Sequence, residues 1–143
     1  MFNLFQRFKT KDKPGVQFDP ILVIDDNEVD RTLVQRILER DHYTVLAAAG
    51  GEAGIKLARE HKIDLIVLDY HMPGINGVQV CEILKNDSRT KNIPIIFLTL
   101  TDIGGDIINF YEVGAEAYLH KPIAPKILLS EVKFILEEFK EKQ

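Results

Sequence analysis

Two hydrophobic patterns alternate along this chain. Short apolar runs rich in Leu, Ile and Val recur at 21–24, 43–47, 63–68, 93–99 and 115–120, each closed by polar or turn residues. Runs this short, with so many β-branched residues, suit strands covered on both faces of a parallel sheet. Between them lie longer stretches whose apolar positions return every three or four residues, as in amphipathic helices. The helices are predicted at 28–40, 52–61, 77–86, 102–113 and 125–140. The first places Leu33, Val34, Ile37 and Leu38 on one face, and the last carries Leu128, Val132, Ile135 and Phe139 as its stripe. Pro94 is tolerated because it sits at the start of its strand. Gly54 costs its helix about 1 kcal/mol relative to Ala, and Gly104-Gly105 loosens the first turns of the 102–113 helix. Strand and helix alternating five times, without repeats, predict an α/β domain with a parallel sheet and helices on both faces.

Composition narrows the function more than the fold. A length of 143 residues fits one domain with a sizeable core. No apolar run approaches the roughly 20 residues a membrane-spanning helix needs, and no secretory leader pattern opens the chain. The single cysteine, Cys81, excludes an intramolecular disulfide and a cysteine-based zinc site. It follows Val80 in a helical pattern that continues to Leu84 and reads as core, and a reducing cytoplasm is the expected setting. A net charge of −4 disfavours nucleic-acid binding. The charge is uneven: residues 1–13 carry +3, which leaves −7 for the remainder. In that basic segment Phe2, Leu4, Phe5 and Phe8 interleave with Arg7 and Lys9, and Lys11 to Gly15 reads as a linker. Residues 1–18 are therefore expected to form a basic amphipathic arm and linker, with the domain at 19–143. Such an arm can lie on an anionic membrane or a partner. A helix this short is marginal alone, so packing against its own domain or a neighbouring subunit is the simpler expectation. No output domain is expected after Gln143, and the chain would act through a partner.

The polar residues that close the strands carry the chemistry. Asp25 and Asp26 end the first strand, Asp69 the third and Thr99 the fourth, and Lys121 follows the fifth. Parallel strands bring all their carboxyl ends to one edge, where open α/β sheets bind ligands. Three converging carboxylates repel, each pair by about 4 kcal/mol at about 4 Å and an effective dielectric near 20. They need a proton, a cation or a metal. One lysine offsets one charge, and an oxygen-only ligand set suits Mg²⁺ rather than zinc. Mg²⁺ beside an ammonium and a hydroxyl suits phosphoryl transfer.

The set Asp25-Asp26, Asp69 with Met72-Pro73-Gly74, Thr99, and Gly114-Ala115 leading to Tyr118-Leu119-His120-Lys121-Pro122 resembles the receiver domain of two-component response regulators, over about residues 20–140. The resemblance implies a flavodoxin-like (βα)₅ fold with strand order 2-1-3-4-5. It implies that Asp69 accepts a phosphoryl group from a histidine kinase or a histidine phosphotransfer protein. Asp26, Asp69 and the backbone carbonyl of His71 would ligate Mg²⁺, with Asp25 acting through water. Lys121 would pair with the phosphoryl oxygens, and its bond to Pro122 would be cis. Thr99 and Tyr118 would be the switch that remodels a partner-binding surface.

Departures from the family pattern set further expectations. Leu100 stands where the family has a small residue, and would partly roof the acceptor site and slow phosphoryl entry or hydrolysis. Phe110 replaces an Ala near the expected path of Tyr118. His71 and Thr101 lie two residues past Asp69 and Thr99, where the family tunes the attacking water, although a solvated loop side chain serves equally well as a reading of His71. Two other functions compete. A phosphatase of the haloacid dehalogenase kind needs a second Asp two residues after its nucleophile, and His71 stands there. A phosphorylation-independent adapter with a receiver fold is the other.

Overall fold

A computed structural model describes residues 17–100 and 111–141. The expectations for the arm up to residue 16, for Thr101 and Phe110, and for most of the 102–113 helix lie outside these residues. Within them the chain runs β1 (Ile21–Ile24), α1 (Glu28–Arg40), β2 (Val45–Ala48), α2 (Gly51–Glu60), β3 (Leu65–Leu68), α3 (Gly77–Lys85), β4 (Ile95–Leu100), β5 (Ala117–Lys121) and α4 (Pro125–Glu141). The strands form one five-stranded sheet in the order β2-β1-β3-β4-β5, and every pair is parallel. The parallel α/β sheet is what the residue pattern predicts, and the flavodoxin-like strand order is the one the receiver resemblance implies. Among the described residues no helix is long and apolar enough to cross a membrane.

The all-apolar strands follow from having two covered faces. Successive side chains of a strand point to opposite faces. Leu22 and Ile24, with Ile66, Leu68 and Phe97, pack against Ala58 of α2 and Val80 and Leu84 of α3. Their neighbours Ile21 and Val23, with Leu65, Val67, Ile96 and Leu98, pack against Val34 and Leu38 of α1 and Leu128, Val132, Ile135 and Leu136 of α4. A polar residue anywhere along β1 or β3 would sit in one core or the other, so polarity is confined to the strand ends.

Some details differ from the sequence pattern. Leu33 is 44% exposed, so the inward face of α1 is narrower than its apolar residues suggest. On α4, Phe139 is only partly buried and Leu136 takes a core place instead. Gly54 has a packing reason: a Cβ there would run into the Ile24 side chain, so the propensity cost is offset by close approach of α2 to β1. The strand β4 begins after Pro94, which has no N–H to offer, and runs one residue past Thr99 because Leu100 pairs with Lys121. At the start of β5, the Glu116 carboxylate accepts from Ile95 N–H at 2.7 Å and closes the ladder there. Helix starts are sharply capped. The Asn27 side chain accepts from Asp30 N–H at the head of α1, and Asn76 and Gln79 form a reciprocal capping box at the head of α3. Each such cap is worth about 1 kcal/mol.

Candidate functional site

The register of β1 and β3 decides where the carboxylates meet. Ile24 lies opposite Leu68, so Asp25 and Asp69 each stand one residue past the end of neighbouring strands. Asp69 N–H donates to Ile24 C=O at 2.9 Å, and Asp25 N–H donates to Ala48 C=O at 3.1 Å. Both side chains are buried, whereas Asp26 is exposed at the rim. One carboxylate oxygen from each of Asp25, Asp26 and Asp69 falls within 4.8 Å of the others. Gly77 at the start of α3 holds the Asp69 loop close. Its N–H donates to Tyr70 C=O at 2.9 Å, and a Cβ there would collide with the Asp69 carbonyl.

The cation comes from the far side of the sheet. Lys121 ends β5 and is buried, and its Nζ donates to Asp25 Oδ2 at 2.9 Å although β3 and β4 lie between their strands. The same Nζ donates to Asp30 Oδ2 at 2.8 Å and stands 3.6 Å from Asp69 Oδ1. The other oxygen of Asp25 accepts Asn27 N–H at 2.9 Å, and Arg31 Nη1 donates to the Asp25 carbonyl at 2.9 Å. The bond between Lys121 and Pro122 is cis.

One lysine among this many carboxylates leaves charge unbalanced. Burial, then the Asp25 charge, push the Asp69 carboxyl up to about 6, against the opposing pull of Lys121 and the Tyr70 N–H. Burial favours the neutral form of Lys121, but the bonds to Asp30 and Asp25 and the charge of Asp69 outweigh it and hold the ammonium above the ordinary lysine range. A buried carboxylate that takes a proton near pH 6 is one that an added cation would stabilise in its charged form. Oxygen-only donors, carrying more negative charge than their lysine cancels, fit Mg²⁺.

The structure thus brings together Asp25, Asp26, Asp69 and Lys121, as the strand ends predict. Thr99 is fully buried in β4, and its Oγ1 has no hydrogen-bond partner among the described residues. Tyr118 is half-buried with its hydroxyl oxygen enclosed, and its ring meets that of His120 edge-on at 4.8 Å. His71 is exposed, its ring against the edge of Tyr70 at 4.6 Å, and Leu100 is 59% exposed at the end of β4. Asp30 and Arg31 are absent from the sequence-based site. They come from the first turn of a helix, not from a strand end. The available signal is the Asn27 cap, whose side chain accepts Asp30 N–H and so sets Asp30 in the first turn of α1, just past the strand-end carboxylates.

The chain is similar to known proteins in sequence and in fold. The profile of the response regulator receiver domain matches residues 21–133. The transcriptional regulatory protein AfsQ1 of Streptomyces coelicolor is 39% identical over 81% of this chain, which spans about half (50%) of that protein's length. The polar-differentiation response regulator DivK of Brucella anthropi is 32% identical over 81% of this chain and 94% of its own. A solved structure of the chemotaxis protein CheY4 of Vibrio cholerae superimposes with a TM-score of 0.78 at 28% identity, covering 83% of this chain and 99% of that one. With a profile match over most of its length and this acidic centre at the expected sheet edge, the chain belongs to the response regulator receiver domains, the phosphoacceptor signalling modules of two-component systems.

Proposed function

We propose that Asp69 is the phosphoacceptor of this receiver, taking its phosphoryl group from the phosphohistidine of a kinase or phosphotransfer protein. The observation that carries the reading is the convergence of three carboxylates within 4.8 Å, with the buried Lys121 ammonium 3.6 Å from Asp69. An Asp69 carboxylate oxygen attacks phosphorus, the phosphorus–nitrogen bond breaks, and its electron pair leaves with the imidazole of the donor. Asp26, Asp69 and the His71 carbonyl are the proposed Mg²⁺ ligands, with Asp25 acting through water. The ion, when bound, neutralises oxygens of the moving group. Lys121 offers its ammonium to the same oxygens, and the Thr99 hydroxyl, buried without a partner among the described residues, would donate to one of them. Tyr118 follows Thr99 as the second part of the switch that a partner reads.

His71, Leu100 and Thr101 set the lifetime of the acyl phosphate. The setting is cytoplasmic, and the downstream target is a protein rather than nucleic acid. The test is intact mass after incubation with Mg²⁺ and acetyl phosphate, or with a phosphorylated histidine donor, wild type beside Asp69→Ala. One phosphoryl group gained by the wild type and lost in the variant is expected. No gain from either donor, together with no spectral response to beryllofluoride, would move the assignment to a phosphorylation-independent adapter.

A further inference from the structure

We propose that Asp30 is a positioning residue that holds Lys121 off Asp69 until an incoming phosphoryl group draws the lysine away. The proposal rests on the reading of Asp69 as phosphoacceptor.

An ammonium has three N–H groups to give. Two of those on Lys121 are committed at 2.9 Å to Asp25 and 2.8 Å to Asp30. At 3.6 Å, Asp69 lies outside the range of a good N–H···O bond. The lysine is therefore parked beside its expected target rather than on it.

The two short bonds are not equally easy to give up. Asp25 is buried, and its other oxygen already accepts Asn27 N–H. Leaving it would strand a charge away from water. The Asp30 side chain is 30% exposed, so water replaces the ammonium when it departs. Asp30 also sits in the first turn of α1, whose positive end favours its charge with or without Lys121. It is the releasable partner. A phosphoryl group on Asp69 adds a charge of about −1.5 to −2 and three acceptor oxygens, which outcompetes a single half-solvated carboxylate. Asp30 so weakens capture of the phosphoryl group, and its release passes the event to the head of α1.

The test is a beryllofluoride titration at saturating Mg²⁺, followed by amide NMR, on wild type, Asp30→Asn, Lys121→Met and the double variant. Asp30→Asn is expected to bind roughly threefold to tenfold tighter, the size of losing one partly exposed competing ion pair with some desolvation. Asp30→Glu, which restores the carboxylate, returns affinity towards wild type. The gain is absent in the Lys121→Met background, since it acts only through the lysine. In the absence of beryllofluoride and Mg²⁺, the side-chain nitrogen resonance of Lys121 shifts in Asp30→Asn while the remaining amide spectrum outside the site does not. Equal or weaker binding by Asp30→Asn, or a gain that persists without Lys121, overturns the proposal. Beryllofluoride that fails to bind wild type, or binds Asp69→Asn as well, overturns the phosphoacceptor reading beneath it. Binding that needs Asp69 but ignores Asp30 overturns this proposal alone.

Discussion

Asp69 and Asp87 are the same side chain in opposite surroundings. Asp87, after α3, is held by guanidinium groups on both sides. Arg59 Nε donates to it at 2.8 Å, and Arg89 donates through Nη2 at 2.8 Å and Nε at 3.1 Å. The side-chain bonds from Arg89, then its backbone N–H, keep the Asp87 carboxyl well below the usual range. Asp69 has a surplus of carboxylates instead, and one lysine that spends its short bonds on other residues. Its carboxyl is pushed up to about 6. Asp87 has cations to spare and pins a loop. Asp69 lacks them, so its region gains from any cation or covalent change that spreads its charge. A site that must respond to something cannot already be satisfied.

Four substitutions sharpen this contrast. Lys121→Met should have the largest effect, costing roughly 3 kcal/mol at pH 7 because it leaves buried carboxylates without their cation. Urea unfolding without divalent ions would show it, and the loss should shrink at pH 5, where Asp69 takes a proton. Next comes Gly77→Ala, at about 2 kcal/mol from overpacking against the Asp69 carbonyl. That cost is steric, so it should be the same at pH 5 and pH 8. Asp69→Asn should act the other way and stabilise the metal-free protein. The folded state holds the Asp69 proton more tightly than the unfolded chain does, so stability falls as pH rises between about 4 and 6. Asn removes that penalty at pH 7.5, the gain fades towards pH 4, and Mg²⁺ narrows the gap by stabilising the wild type more. Asp87→Asn should give the smallest change. A depressed carboxyl contributes its stability above the ordinary carboxylate range and loses it only in strong acid, so thermal melts should show a small deficit, constant from pH 5 to 8.

The fold was legible because two covered faces force whole strands to be apolar, and polar residues then mark their ends. That logic located Asp25, Asp26, Asp69 and Lys121, which the structure brings together. It was blind to Asp30 and Arg31, whose approach depends on how α1 leaves β1 over the Asn27 cap. Periodicity also overcounted the core face of α1, because Leu33 lies at the border of the stripe and turns outward. Tyr43 is buried without being in a strand: its N–H returns to Leu38 C=O, so β2 starts at Val45. Which lysine bonds are short and which is long is a matter of ångströms that no spacing encodes.

The bond between Lys121 and Asp25 joins residues 96 positions apart. It closes the site with one of the last pieces of the domain to leave a ribosome. A nascent chain extending only through β4 already carries all three carboxylates, yet lacks the ammonium that offsets them. Such a chain has an acidic edge that its lysine does not yet balance. Charge balance at the acidic edge and completion of the sheet therefore arrive together.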